Sequence, residues 1–281
     1  MRAGTHALLL AALNAWLLLH CCAVHASDDT SLLFIESFEP ARPGPTNTGP
    51  YDYRRLELSG SLTITEAGAL VENIDVTGSV KIRADNVTLR NFRIDGGGTF
   101  YGIRANEGHT GIVIEHGEIR NISSAGILGN GFVANRLNIH ESGGDGLKVQ
   151  GGGGPTLVMR SWIHHLGTNE GAHADGNQSR SGHDIRFIGN YCDMPITDPP
   201  PYKSNACMFL QAADGPLDNV EISGNWLNGG NYTIYCSGTN LRILNNRFGR
   251  DYRYGIRSQC SNGNTQWTGN VWDDNGESIP P

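Results

Sequence analysis

Two short segments carry a dense set of side chains that can perform chemistry. The first reads His140-Glu-Ser-Gly-Gly-Asp-Gly-Leu-Lys148, and the second reads His164-His-Leu-Gly-Thr-Asn-Glu-Gly-Ala-His-Ala-Asp-Gly-Asn-Gln178. Carboxylates, imidazoles and a lysine that converge on one place are the groups that general acid–base catalysis uses. An Asp-Gly pair is also a common turn signal, so Asp145 and Asp175 fit a turn role as well as a chemical one.

A repeat along the chain must position both segments. One phrase, a short run of alternating apolar and polar residues that leads to Asn or Gly, recurs at residues 86–94, 111–119, 184–190, 219–225 and 240–246. A second phrase lies between these copies, as in Ala125-Gly-Ile-Leu128 and Asp145-Gly-Leu-Lys148. Short strands in repeats of ~20–30 residues, with Gly/Asn turns and no helical period, indicate a parallel β-helix. We predict an all-β, single-stranded, right-handed parallel β-helix of about eight or nine coils.

The repeat also sets the domain organisation. It runs almost without interruption from Leu56 to Trp272, so we predict one β-helix domain over residues 56–281. Residues 27–55 are less regular, and we expect an extended lead-in with an N-terminal cap over the first coil, whose core would otherwise be open. Recurring asparagines are expected to stack at a bend of the coil, namely Asn91, Asn190, Asn225, Asn246 and Asn270.

Aligning the coils predicts which outward side chains stack, because counterparts on adjacent coils lie ~4.8 Å apart. The second phrase gives one outward column that reads Arg104, Leu128, Lys148, Gln178, Leu210, Tyr235 and Arg257. The first phrase gives another that reads Asp95, Arg120, His140, His164, Asp193 and Asn228. We therefore expect a polar cluster on the middle coils, with His173 and Asp175 in the loop beside Lys148 and Gln178.

Composition restricts the function. Glycine supplies 38 of 281 residues, close to twice the usual ~7%, but no triplet period is present, which excludes collagen. The net charge is −7 and the 21 Lys and Arg residues are spread thinly. A basic footprint for nucleic acid is therefore missing, and we expect no nucleic-acid partner.

The N-terminal sequence predicts export. Residues 1–26 combine a basic start at Arg2, an apolar run over Ala7–Leu19 and a small residue at Ala26, as a secretory signal peptide does. The run is shorter than the ~20 residues of a membrane span, so we expect a secreted protein, extracellular or periplasmic, without a membrane anchor. Cys21 and Cys22 lie within the predicted signal peptide, so four of the six cysteines remain after its removal. An oxidising compartment favours disulfides, and we predict Cys192–Cys207 and Cys236–Cys260, with zinc binding as the alternative use of these four cysteines.

The two segments carry a family resemblance. Asp145-Gly-Leu-Lys148 and His173-Ala-Asp-Gly-Asn-Gln178 are similar to an Asp-Gly-x-Lys and His-x-Asp-x-x-Gln pattern that bacterial β-helix proteins carry on successive coils. With the repeat, they resemble the small secreted members of the pectate-lyase-like superfamily, many of which are polysaccharide lyases. The sequence departs from two relatives, because it lacks the polygalacturonase motifs and the Asp-Pro-His-Asp of alginate epimerases.

The resemblance implies β-elimination on a 4-linked uronate, which needs a base, an acid and a partner for the substrate carboxylate. Lys148 is the first choice as base, because partial burial beside an arginine would lower its pKa, and His173 is the second. Tyr235 is the expected acid, and Arg257 completes the predicted catalytic set. The predicted substrate-binding residues are Arg104, His140, Asp145, His164, Asp175, Gln178, Tyr202 and Lys203, with Tyr202 and Lys203 on the loop closed by the first disulfide.

Alternatives remain open. The same groove suits a hydrolase or a C5-epimerase, with Asp145 and Asp175 as paired carboxylates of a hydrolase, or a β-helix that binds glycan without turnover. We expect no cofactor. Calcium is the possible exception, because oxygen ligands are available on Glu141, Asp145, Glu170, Asp175 and Asp184, although no calcium-loop spacing is present. The expected partner is an anionic polysaccharide, with no membrane partner, bound by a monomer.

Overall fold

Short strands joined by tight turns account for nearly all of the regular structure. The computed structural model describes residues 41–105, 108–151, 154–260 and 265–281. The strands of these ranges follow a short 3-10 helix, Tyr53–Arg55. In chain order they are β1 (Glu57–Ser59), β2 (Leu62–Ile64), β3 (Leu70–Thr77), β4 (Val80–Ile82), β5 (Thr88–Asp95), β6 (Tyr101–Ala105), β7 (Ile112–Arg120), β8 (Ala125–Gly129), β9 (Phe132–Asn135), β10 (Asn138–Ile139), β11 (Asp145–Val149), β12 (Thr156–Met159), β13 (Trp162–His164), β14 (Ala174–Ser179), β15 (Gly182–Ile188), β16 (Tyr191–Met194), β17 (Ser204–Gln211), β18 (Leu217–Ser223), β19 (Trp226–Gly229), β20 (Tyr232–Ser237), β21 (Leu241–Leu244), β22 (Arg247–Phe248), β23 (Gly255–Ser258), β24 (Thr265–Thr268) and β25 (Val271–Trp272).

The strands form two parallel sheets. Sheet B contains β2, β4, β6, β8, β11, β14, β17, β20 and β23, and sheet A contains the other sixteen strands of the described ranges. Each coil contributes one strand to sheet B and, from β9 onward, two short strands to sheet A. Nine strands in sheet B give nine coils in the described part of the chain, so the prediction of an all-β parallel β-helix is confirmed.

Inward side chains from both sheets fill a continuous apolar core. In sheet B the inward column includes Ile103, Ile127, Leu147 and Ile234, all fully buried. Fully burying an aliphatic side chain of this size stabilises the fold by about 1.5–3 kcal/mol. The column repeats on successive coils, so the core stabilises the whole solenoid and fixes which side chains point outward.

A column of left-handed residues bends sheet A. Asn73, Asn91, His116, Arg136 and Arg160 occupy equivalent places on successive coils, with φ between 46° and 60°. Asparagine adopts this conformation more readily than most residues. The recurring bend splits the later strands of sheet A into two short arms.

Stacked asparagines stabilise the next position of the bend. Asn190, Asn225, Asn246 and Asn270 are almost fully buried, and each Oδ1 after the first accepts hydrogen bonds from the preceding asparagine's N–H and Nδ2 at 2.8–3.0 Å. The predicted stack is therefore confirmed for these four residues. It is wrong for Asn91, which belongs to the left-handed column one position earlier and donates to Asn73 Oδ1.

The described part of the lead-in, residues 41–55, contacts the side of the solenoid. Arg42 forms an ion pair with Asp273 of the last coil, and the Gly49 N–H donates to the Arg136 carbonyl in a middle coil. Tyr53 then donates to Glu118. The segment thus ties distant coils together. The cap expected over the first coil stays a prediction, because residues 27–40 of the lead-in lie outside the described residues. The signal peptide predicted for residues 1–26 lies outside the described residues.

Two disulfides have the predicted pairing. Cys192–Cys207 and Cys236–Cys260 join cysteines whose Cα atoms are 5.8 and 4.8 Å apart. The first connects sheet A to sheet B across the core and closes the loop that contains Tyr202. In the described ranges, no helix has the length and apolar character needed to cross a membrane.

Candidate active site

Asp145 and Lys148 meet on the outer face of sheet B because β11 turns two consecutive residues inward. Leu147 is fully buried, and a Cβ on Gly146 would lie 2.7 Å from the core side chain of Ile163. The residues that flank this pair emerge on the opposite side, where Lys148 Nζ lies 3.3 Å from Asp145 Oδ2. Gly146 is therefore required by the tight packing of the core, and this packing places the Asp145 carboxylate beside the Lys148 ammonium.

Asp175 stacks on this pair from the next coil. Asp145 Oδ1 accepts the backbone N–H of Asp175 at 2.8 Å, and the register pairs Lys148 with Gln178. The two oxygens of Asp175 accept hydrogen bonds from Gln178 Nε2 at 3.3 Å and from Asn205 Nδ2 at 2.9 Å. The two Asp-Gly segments of the sequence thus form one polar cluster, as the alignment of coils predicted.

A β-bulge supplies the third coil's contribution to this cluster. Ala174 pairs with Ser204 and Asp175 pairs with Ala206, so Asn205 is an extra residue in β17. Bulges re-aim side chains and are frequent beside active sites. The sequence analysis missed Asn205, and no local signal marks it, because the pairing of two strands creates the bulge.

Burial sets the electrostatics of the carboxylate pair. Desolvation raises the pKa of Asp145, against the opposing effects of the Asp175 N–H and of Lys148. Desolvation, followed by the nearby charge of Asp145, raises the pKa of Asp175 well above its usual value. Asp175 is only 1% exposed, whereas the Lys148 side chain is 22% exposed. Lys148 is therefore the ionisable group through which this cluster reaches solvent.

The outward column of sheet B is confirmed for most of its length. The pairing gives, in order, Lys81, Arg104, Leu128, Lys148, Gln178, Phe209 and Tyr235. The prediction that Leu210 belongs to this outward column is wrong. The extra bulge residue shifts β17, so that Phe209 points outward and Leu210 is fully buried. Leu128 separates Arg104 from Lys148, so the neighbour of Lys148 is a carboxylate and not the arginine that the sequence analysis assumed.

The predicted catalytic partners of Lys148 lie away from it. Tyr235 is three coils along the column, roughly 14 Å at ~4.8 Å per strand. Arg257 is not in the column, because it pairs with the inward residue Ile234. At this last coil the Arg257 guanidinium lies over Trp267, 4.7 Å from the ring centroid, where it contributes to closing the end of the core.

His173 also lies apart from Lys148. It precedes β14, five residues before Gln178, which is roughly 16 Å at ~3.3 Å per residue. The pocket that combines His173 with Lys148 and Gln178 therefore stays a prediction. His173 instead lines a separate cleft with the predicted binding residues Tyr202 and Lys203.

His140 and His164 stack on adjacent coils as predicted, but they belong to sheet A. Their ring centroids are 5.1 Å apart, and His164 also stacks on Trp162. His140 Nε2 contacts Glu118 Oε1 at 3.1 Å, and the His164 residue is 7% exposed. These imidazoles are partnered and lie on a different face from Lys148, so they do not join the sheet B cluster.

The described residues offer no group of three or more His, Cys, Asp or Glu side chains arranged to hold a metal ion. Within the cluster, the oxygens of Asp145 and Asp175 already accept hydrogen bonds from Lys148, Gln178 and Asn205 and from a backbone amide.

Comparison with known proteins gives one family match. The family model of the right-handed beta helix region matches residues 128–279, more than half of the chain. No curated protein matches at a significant level. Among solved structures, the chain is similar to the catalytic domain of a GH87 α-1,3-glucanase in complex with tetrasaccharides, with 10% identity and a TM-score of 0.32. The alignment covers 76% of this chain and 64% of that structure.

Proposed function

The chain belongs to the right-handed beta helix family, and on that premise we propose that it cleaves an acidic polysaccharide by β-elimination on the outer face of sheet B. One observation supports this most directly: the partly exposed Lys148 forms an ion pair with Asp145, one of two adjacent buried carboxyls in the middle of that face. If Asp145 and Asp175 served only as turn residues, the fold would not need the Lys148 ammonium beside Asp145. It would also not need the β-bulge that brings the Asn205 side-chain amide to Asp175.

The charge of the neighbouring surface favours an anionic substrate. A cavity of about 570 Å³ is lined by three basic residues of the coils that precede Lys148, namely Lys81, Arg83 and Arg104. Gln150, two residues after Lys148, also lines it. None of the described residues that line this cavity is acidic. A local cationic surface attracts an anion over about a Debye length, ~8 Å, whatever the net charge of the protein.

Aromatic rings continue the face on the other side of the cluster. Phe209 and Tyr235 lie 5.2 Å apart between centroids, and Tyr232 lies 5.4 Å from Tyr235 and 5.6 Å from Tyr254. Tyrosine presents both an apolar ring and a hydroxyl, which suits the apolar faces and hydroxyls of sugar rings. We therefore assign Tyr235 to a sugar-binding platform and not to proton donation beside Lys148.

The chemistry follows from Lys148 and the carboxyl beneath it. Because burial raises the pKa of Asp145, transfer of a proton from Lys148 to Asp145 costs less than it would in water. The neutral amine then takes the C5 proton of a uronate, the C5 electron pair forms a C4=C5 double bond, and the C4–O bond breaks. Lys148 returns a proton to the departing oxygen from the same face, while Gln178 donates to the substrate carboxylate.

The test is a panel of polyuronates treated with purified protein, with the absorbance of the unsaturated product and new reducing ends measured in parallel. We expect both signals to rise together for at least one polymer. Lys148→Ala should lower the rate by at least ~100-fold, the scale of general acid–base catalysis. Arg90→Gln, which removes a partly exposed charge from sheet A, is the matched control and should retain activity. Absence of the double bond with every polyuronate would refute the elimination.

Hydrolysis is the second candidate, favoured by the raised pKa of Asp175 beside Asp145. A protonated acid next to a second carboxyl is the arrangement that glycoside hydrolases use. New reducing ends without a double bond, lost in Asp175→Asn, would establish it. Epimerisation would change neither signal but would alter the uronate composition. The two disulfides fit an oxidising compartment, so we also propose that the enzyme is exported.

A further inference from the structure

A second polar cleft opens where the strands of sheet B begin. Its volume is about 240 Å³, and its walls come from the residues just before β14, β17, β20 and β23 together with the loop closed by the first disulfide. The polar side chains that line it are those of His173, Tyr202, Lys203, Ser204, Asn205, Asn231 and Arg253. Asn205 also donates to Asp175, so the cleft and the Lys148 cluster share one side chain.

The cleft is basic. His173, Lys203 and Arg253 come from three different coils, and no described residue of the lining is acidic. Lys203 Nζ donates to the Asn169 carbonyl at 3.3 Å, and the Arg253 guanidinium lies over Tyr254. Neither cation forms an ion pair with a carboxylate in the described part of the chain. An ammonium and a guanidinium beside one concave surface favour an anion.

The cleft also contains an acceptor without a donor. Asn231 donates from Nδ2 to Asn205 Oδ1 at 3.1 Å, but its own Oδ1 is buried and has no hydrogen-bond partner. A buried acceptor without a partner is unfavourable relative to a satisfied one. A ligand hydroxyl would satisfy it. Cations and a hydroxyl acceptor within one small cleft together describe a sugar that carries an acidic group.

We infer that this cleft is a binding subsite for one uronate residue, with its carboxylate on Arg253 and Lys203 and one of its hydroxyls donating to Asn231. The inference builds on the proposed activity, because it places an acidic sugar of the substrate beside Asn205 and Asp175. It assigns His173, Tyr202 and Lys203 to binding and adds Arg253 and Asn231, which the sequence analysis did not identify. A planar carboxylate suits the fork of Arg253.

Calorimetric titration with single sugars tests the inference without turnover. The probes are D-glucuronate and D-galacturonate, with glucose and galactose as neutral controls and galactose 6-sulfate as the competing anion. We expect a uronate to bind the full-length protein and the neutral sugars not to. Arg253→Gln and Lys203→Gln should each weaken uronate binding by roughly 10- to 100-fold, as for a lost charge-assisted hydrogen bond. Arg250→Gln, which breaks an exposed ion pair with Asp274, should leave binding unchanged.

The outcomes separate this inference from the proposed activity. Uronate binding that both cleft variants leave intact, or binding of the sulfated sugar alone, would overturn the inference. Thermal unfolding of each variant shows whether a loss of binding reflects a loss of fold. If the polyuronate panel yields no product but uronate binding depends on Arg253, the cleft assignment stands and the lyase proposal fails. If cleavage occurs but no uronate binds, the lyase proposal stands and the cleft assignment fails.

Discussion

His164 lies in a stack of rings on sheet A, and its environment makes a quantitative prediction about acid stability. Its Nε2 contacts Asn138 Oδ1 at 2.9 Å and its Nδ1 contacts His165 Nδ1 at 2.5 Å. An amide oxygen only accepts, so Nε2 of His164 carries the hydrogen and Nδ1 accepts from His165. Burial, reinforced by the charges of His140 and His165, lowers the pKa of His164 to about 2.

The sign and size of the effect follow from proton linkage. In the unfolded chain the pKa of a histidine is ~6.5, so between pH 6.5 and pH 2 the unfolded state binds more protons than the folded state. The stabilisation associated with neutral His164 is complete above pH 6.5 and decreases as the pH falls. Between pH 7 and pH 5 the loss is about 2 kcal/mol, and this value holds for any folded-state pKa well below 5.

The assay compares urea unfolding at pH 7 and pH 5 with the disulfides intact. His164→Gln keeps a donor for Asn138 but cannot titrate, so the pH-dependent loss of unfolding free energy should shrink by about 2 kcal/mol. His109→Gln removes an exposed histidine paired with Asp85 and serves as the control. Tryptophan fluorescence and circular dichroism should give coincident transitions, which justifies a two-state treatment.

Comparison of variant with wild type is needed because other groups titrate in this range. The raised pKa values of Asp145 and Asp175 act in the opposite direction, since they favour the folded state as the pH falls. They are the same in both proteins and cancel in the difference. An equal pH-dependent loss in wild type and His164→Gln would refute the assignment of a neutral, buried His164.

Three further predictions concern the core and the cluster. Asn225→Ala should lower the free energy of unfolding by about 2–5 kcal/mol in urea titrations, because it removes partners from two buried backbone groups of the preceding coil, the Asn190 N–H and the Phe187 carbonyl. Gly117→Ala should lower it by about 1–3 kcal/mol and reduce the melting temperature, because the new Cβ would overlap the ring of Phe92. Asp175→Asn should be at least as stable as wild type at pH 8, because the raised pKa of Asp175 means that its stabilising effect is lost as the pH rises; a large fall in stability at that pH would contradict the raised pKa.

The repeat predicted the fold and most of the stacked columns, and both disulfide pairs were also predicted from the sequence. Periodicity is a property of the sequence, and in a solenoid each coil contacts mainly its neighbours, so aligning the copies predicts which residues meet. This reasoning placed Asp145, Asp175, Lys148 and Gln178 in one cluster. It failed at Leu210, where an extra residue in one strand breaks the alignment.

The errors share a physical origin. Tyr235 and Arg257 follow sequence phrases similar to that of Lys148, which is why the alignment groups the three residues. Tyr235 lies three coils away along the axis of the solenoid, and Arg257 pairs with the inward residue Ile234 and so leaves the outward column. His173 is close to Gln178 in sequence, yet it lines a different cleft with Tyr202 and Lys203. Sequence proximity therefore overstated which side chains share a site.

The sequence by itself determined the architecture, because the spacing of apolar and turn residues repeats along the nine coils of the described ranges, so adjacent copies stack in register. It also determined that Asp145 and Lys148 share the outer face with Gln178. Only the tertiary structure decided the chemistry of that face. The bulge that brings Asn205 to Asp175 and the burial that raises both carboxyl pKa values depend on contacts between strands and on exclusion of water, and neither is encoded in any single coil.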